Sequence, residues 1–181
     1  MVFREQKVQE IAHFRDFPEL VCRLCRYSLG MRGNGMKKIR TVLIVEDAED
    51  DAFLLKRALS KSTFTGEHVH IVANGKEAQD YLEGIGDYED RQRYPIPDII
   101  FTDLKMPIMN GFELLKWLKE NPVFQVIPTV VLTSSNDKLD VRRAFFEGAN
   151  CYFMKPGSHE DSVSALSLIF DFWECNELPS I

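Results

Sequence analysis

Apolar residues in this chain gather in short blocks separated by amphipathic stretches. Four blocks, TVLIVED (41–47), DIIFTD (98–103), PTVVLTSS (128–135) and NCYFMKP (150–156), are too short for helices and rich in β-branched residues. Such blocks predict strands buried on both faces. A fifth, HVHIVAN (68–74), is more polar and reads as an edge strand. Between the blocks, apolar positions recur at helical spacing. Ala52, Leu55 and Leu59 share a face within 51–61, and Phe112, Leu115 and Leu118 do so within 110–120. Near the C-terminus Val163, Leu166, Phe170 and Trp173 repeat the pattern. Asn74-Gly75, Asn110-Gly111 and Asn136-Asp137 stand where helices would begin and supply cap or turn chemistry.

The order is therefore a strand-helix unit repeated five times. Right-handed crossovers turn such a repeat into a parallel sheet with helices on both faces. The expected fold is α/β, a flavodoxin-like (βα)5 three-layer sandwich with strand order 2-1-3-4-5. That order sends the polar HVHIVAN strand to one edge. Two segments fall outside the repeat. GIGDYEDRQRYPIP (84–97) is a polar loop punctuated by Gly and Pro. Residues 1–36 form an N-terminal extension ahead of a domain spanning 37–181; SLGMRGNGM within it has the composition of a flexible linker. Ile11, Phe14, Phe17, Leu20, Val21 and Leu24 would line a short helix there, interrupted near Pro18. Met36 is a second candidate start, because MKKIRTVLIVED opens directly into the first strand.

Length and composition bound the function. The 181 residues, 45% hydrophobic and 28% charged, fit an ordinary soluble domain. No apolar run reaches the length of a membrane span, and the scattered N-terminal charges leave no secretory core. A cytoplasmic protein is expected. Cys22 and Cys25 form a lone CxxC without a second ligand pair; with Cys151 and Cys175 they read as reduced thiols. The net charge of −6 is uneven: residues 1–35 hold six Lys/Arg against four Asp/Glu, and the remainder carries −8. An acidic domain argues against nucleic acid and is compatible with a bound cation.

In an open parallel sheet, ligands sit beyond the carboxyl ends of the strands. The predicted strands end there in a consistent set of groups. The first ends in Glu46-Asp47, the third in Asp103, the fourth in Thr133-Ser134 and the fifth in Lys155-Pro156. Strands 1 and 3 are neighbours in the predicted order, so three carboxylates converge, and strands 4 and 5 add a hydroxyl and an ammonium. Close carboxylates raise one another's pKa, and a hard divalent cation relieves them. Mg2+ takes one or two carboxylates together with water and phosphate oxygens. The expectation is a Mg2+ and phosphoryl site centred on Asp103.

With those residues in place, the chain resembles the receiver domain of two-component response regulators. The resemblance rests on VLIVEDAEDD, FTDLKMP, VVLTSS and GANCYFMKP, spaced across residues 40–175. It implies that Asp103 accepts a phosphoryl group from the phosphohistidine of a sensor histidine kinase or phosphotransfer protein. Asp47 and Asp103 would ligate Mg2+, Glu46 would act through water, and the Lys105 backbone carbonyl would complete the ligands. Lys155 would pair with the phosphoryl oxygens across a cis bond to Pro156. Thr133 would hydrogen-bond the phosphoryl group, and Tyr152 would swing inward behind it. Lys105 and Asn110 depart from the commoner family residues. The 84–97 loop and FDFWECNELPS look like the single-domain regulators that work with bacterial phytochromes. Output would then pass to a downstream protein or through a homodimer.

Two rival functions share the architecture. A haloacid-dehalogenase-like phosphatase also uses a nucleophilic Asp, here Asp103, but needs an acid two residues on, where this chain has Lys105. A flavin mononucleotide module needs a phosphate loop after the first strand, and EDAEDD would repel a phosphate. His68 and His70 share a face of the edge strand and read as solvated. Phe170, Phe172 and Trp173 read as helix core with an exposed remainder suited to a dimer contact. Lys56, Arg57, Arg142 and Arg143 read as solvated helix faces.

Overall fold

Each apolar block forms a strand: β1 (Thr41–Val45), β2 (His68–Val72), β3 (Ile99–Thr102), β4 (Thr129–Thr133) and β5 (Cys151–Met154). The structure is a computed structural model that describes residues 38–176. The extension 1–36, with its proposed helix and the Cys22–Cys25 pair, and the tail from 177 lie outside the described residues. Five α-helices alternate with the strands: α1 (Glu49–Leu59), α2 (Gly75–Glu83), α3 (Gly111–Glu120), α4 (Lys138–Glu147) and α5 (His159–Glu174). Helix starts fall on the expected caps. The side chains of Asn74, Asn110 and Asp137 each accept an amide of the first turn, and Asn110 forms a reciprocal capping box with Glu113.

All strand pairs are parallel, in the order β2-β1-β3-β4-β5. Period-two alternation then divides the core. Val42 and Ile44 of β1 face one side, where Ala58 and Leu59 of α1 and Leu166, Ile169 and Phe170 of α5 cover them. Leu43 and Val45 face the other, against Ala78, Tyr81 and Leu82 of α2 and Leu114 and Leu118 of α3. Ala144 of α4 completes that layer over Leu104, Leu115 and Val131. The result is the expected three-layer sandwich. β1, β3 and β4 are buried throughout. β5 is not, although its block predicted burial on both faces: it is the second edge, and Met154 is exposed. Among the described residues, no helix is long and apolar enough to cross a membrane.

The 84–97 segment is better organised than its composition suggests. Gly84 ends α2 in the left-handed region, which a side chain would disfavour. Arg91 folds back over it and donates to the carbonyls of Tyr81 (2.7 Å), Leu82 (2.5 Å) and Tyr94 (3.2 Å). A guanidinium thus adds donors at the carbonyl end of the helix and ties it to the loop at Tyr94. Tyr81 in turn donates to the Pro95 carbonyl at 2.7 Å, and Tyr88 to Glu77 at 2.8 Å.

This loop changes the reading of the edge strand. His70 is not simply solvated: its ring lies 5.4 Å from those of Tyr81 and Tyr94 and 5.9 Å from that of His68. Its Nε2 is buried and, among the described residues, has no hydrogen-bond partner. Burial, and then the charges of His68, Lys56 and Arg93, lower its pKa below the ordinary 6.5. As pH falls through that value, the unfolded chain binds the proton that the folded chain refuses, so stability is lost towards acid. His70→Phe fills the same aromatic pocket without an orphaned nitrogen. It should raise neutral stability by about 1 kcal/mol and flatten the loss between about pH 7.5 and 5.5. Urea midpoints at the two pH values check this; an unchanged acid limb would exclude His70 as its source. Arg143 is exposed on its helix, as expected, and its guanidinium also lies over the Phe112 ring at 4.2 Å.

Candidate functional site

Backbone pairing past the strand ends builds the site. Beyond Val45, the Glu46 amide still donates to the Val72 carbonyl at 2.9 Å, and the Asp103 amide donates to Val45 at 3.0 Å. β1 and β3 therefore deliver Glu46 and Asp103 side by side. On the other flank the Lys155 amide donates to the Thr133 carbonyl at 2.8 Å, so β4 and β5 bring their terminal residues together in the same way. The expected convergence follows from register.

One carboxylate oxygen from each of Glu46, Asp47 and Asp103 lies within 4.8 Å of the others. Glu46 is buried, Asp47 exposed and Asp103 between the two. Asp103 divides its oxygens: Oδ1 accepts the Leu104 amide at 2.6 Å and Oδ2 faces Lys155 Nζ at 3.2 Å. The lysine also reaches Glu46 Oε2 at 2.7 Å and Asp51 Oδ2 at 2.6 Å.

The two ends of this ion pair respond differently. Burial raises the Glu46 pKa, and the hydrogen bond and charge of Lys155 only partly offset it. Burial also works against the Lys155 ammonium, but hydrogen bonds to Asp51 and Glu46 and the charge of Asp103 outweigh it, so its pKa is raised. One lysine shared among three acids does not fully compensate the enclosed one. Three hard oxygens at this spacing fit a divalent cation.

Thr133 is buried at the end of β4, where its Oγ1 accepts the Ser135 amide at 3.4 Å. Ser134 beside it is exposed. Tyr152 donates its hydroxyl to the Ser135 carbonyl at 2.9 Å, with its ring against the cluster of Leu104, Leu115, Val131, Ala144 and Ala149. Two residues beyond Asp103 stands Lys105, an exposed cation where the phosphatase chemistry would need an acid. The Lys155–Pro156 bond, expected cis, is trans: no cis peptide occurs among the described residues. Trans is the lower-energy isomer before proline by about 0.5–1 kcal/mol, and Lys155 reaches its three acids from it.

Asp51 was not foreseen. It lies in the first turn of α1 among several acids that read as helix-start residues, and only its spacing of four from Asp47 hinted that it faces the site. The loop after Asp103 also holds a surprise. Met109 N donates to the Pro107 carbonyl at 2.7 Å, closing a three-residue turn whose centre, Ile108, has φ +66. That conformation is rare for a β-branched residue. It carries the Met109 carbonyl to the Gly75 amide, 2.9 Å away. Gly111 then passes so close to the Asp103 carbonyl that a Cβ would lie 2.1 Å from it.

Known proteins resemble this chain in sequence and in fold. The family model for the response regulator receiver domain matches residues 42–167. Response regulator Rcp1 of Synechocystis sp. is 34% identical over 134 residues, covering 74% of this chain and 88% of that protein. Among solved structures, the phosphorylated cyanobacterial phytochrome response regulator RcpA superposes with a TM-score of 0.70 at 33% identity, over 78% of this chain and 99% of that one. The Mn2+-bound form of Rcp1 gives 0.68 at 34% identity, with the same coverage.

Proposed function

This chain belongs to the response regulator receiver family, and from that premise we propose that it carries a phosphoryl signal on Asp103. The observation that carries the reading is the convergence of Glu46, Asp47 and Asp103, with Lys155 reaching the first and last of them. The donor is the phosphohistidine of a sensor histidine kinase or phosphotransfer protein. An Asp103 carboxylate oxygen forms the new P–O bond while the P–N bond breaks, and the electron pair leaves with the imidazole.

Phosphoryl transfer asks for positioning and charge neutralisation more than for covalent help. Asp47 and Asp103 would hold Mg2+ directly, Glu46 through water and Lys105 through its backbone carbonyl. When bound, the cation neutralises charge on the phosphoryl oxygens. The residues of the chain do the rest. Lys155 pairs with a phosphoryl oxygen, and the Thr133 hydroxyl donates to another, with Ser134 at the open rim. Drawing Thr133 towards the phosphoryl group unsettles the loop whose Ser135 carbonyl holds Tyr152, and the ring moves inward. A local charge thus becomes a changed surface on the β4–β5 side. A tenfold shift in population requires about 1.4 kcal/mol, within the range of one charge-assisted hydrogen bond.

Likeness to phytochrome response regulators supports a phytochrome kinase as the upstream partner. The receiver occupies 37–181 and residues 1–36 are an extension to it. Output runs through a downstream protein or a second copy, in the cytoplasm, without nucleic acid. Incubation with Mg2+ and acetyl phosphate, followed by borohydride trapping and peptide mapping, tests the assignment. A single reduced acyl phosphate at Asp103 is expected. Label elsewhere, or rapid repeated turnover of a phosphate ester, would reject it.

A further inference from the structure

The Lys155 ammonium has three N–H donors, and three carboxylates accept them. Two of these, Glu46 and Asp103, belong to the cluster that fits a cation; Asp51 does not. Yet Asp51 makes the shortest of the three contacts, 2.6 Å against 2.7 and 3.2 Å. It is also the most exposed, with 44% of its side chain accessible against 4% for Glu46 and 11% for Asp103. Lys155 and a divalent cation are rivals for the same two carboxylates, Glu46 and Asp103. The more of the lysine that lies outside the cluster, the less must be displaced when the cation enters.

We propose that Asp51 is a positioning residue that draws Lys155 off Glu46 and Asp103 and so keeps their oxygens open to a divalent cation. The inference deepens the receiver reading and rests on it for the identity of the cation. Without Asp51, the ammonium would lean wholly on the two cluster acids. Asp51 also attracts a cation directly through its own charge, so the two effects must be separated. Only the first depends on Lys155.

A double-mutant cycle on the full chain separates them, with Mg2+ alone as the probe and calorimetry as the readout. Asp51→Asn keeps the side-chain shape and should raise the Kd for Mg2+ by roughly three- to tenfold. In a Lys155→Met background the same substitution should change Kd by less than about twofold. Lys155→Gln, which keeps a hydrogen-bond donor among the carboxylates, is the second background should the methionine chain unfold. Equal weakening in both backgrounds would assign Asp51 a purely electrostatic role and overturn the proposal. So would no change, or tighter binding, in the native background. Acetyl phosphate labelling of the unaltered chain reads the receiver assignment separately. Labelling without lysine dependence overturns only the role of Asp51, and an intact cycle without labelling overturns only the phosphoryl chemistry.

Discussion

Asp103→Asn should abolish acyl phosphate formation while leaving the metal-free fold nearly as stable as before. Asparagine retains the Oδ1 that accepts the Leu104 amide, so the backbone at the strand end keeps its partner. The charge it loses is one of three crowded within 4.8 Å, and removing a like charge from such a group relieves repulsion. Lys155 gives up its longest contact, 3.2 Å, and keeps the two shorter ones. These changes oppose each other, and the net effect on unfolding free energy should be under about 1 kcal/mol. Chemistry and cation binding have no such compensation. The amide cannot accept the phosphoryl group, and loss of a hard anionic ligand should weaken Mg2+ by about tenfold or more. Trapping with borohydride, Mg2+ calorimetry and urea unfolding measure the three quantities. Persistence of the label would show that another residue is the acceptor.

Lys155→Met should have the opposite profile, with a large loss of stability that Mg2+ restores. Lys155 supplies the positive charge that three carboxylates share, and the Glu46 side chain is only 4% exposed. Removing one partner of a buried ion pair leaves the other uncompensated, which typically costs 3–5 kcal/mol. Two of the three acids keep some access to water, so a loss of about 2–3 kcal/mol is expected for the metal-free chain. Saturating Mg2+ would supply positive charge to Glu46 and Asp103 in its stead and should recover most of that loss. The same variant should bind Mg2+ more tightly, since the rival cation has gone. Urea unfolding in EDTA and in Mg2+ tests this. Equal midpoints with the unaltered chain in EDTA would mean that Lys155 compensates nothing.

Much of this site could be read from the order of residues because parallel sheets place strand ends together. β1, β3 and β4 announced themselves as apolar blocks, and Asn74 and Asn110 marked helix starts by local hydrogen-bonding chemistry that needs no tertiary context. Once the strand order was inferred, Glu46, Asp47, Asp103, Thr133 and Lys155 had to share one rim. What escaped was set by packing between distant segments. Asp51 is one acid among several in EDAEDD until Lys155 arrives from a strand 104 residues away. His70 looked solvated because its aromatic enclosure depends on how residues 84–97 fold back under Arg91. The half-exposed state of β5 follows from its edge position, which its composition alone does not reveal. The backbone at Ile108 and the trans bond before Pro156 are local, but neither residue type announces its conformation.

The narrow passage around the segment 104–110 has a consequence for how this protein tolerates change. On one side Gly111 runs against the Asp103 carbonyl, and on the other a Cβ at Gly75 would come within 2.9 Å of the Met109 carbonyl. Any added methyl meets main chain there, which cannot rotate aside as a side chain would. The turn that follows Asp103 is thus wedged between two hydrogen atoms, and its variability is limited most tightly at positions that contribute no functional group. An engineer could exchange exposed Ile108 or Lys105 with far more freedom than either glycine, even though neither glycine touches a phosphate or a metal.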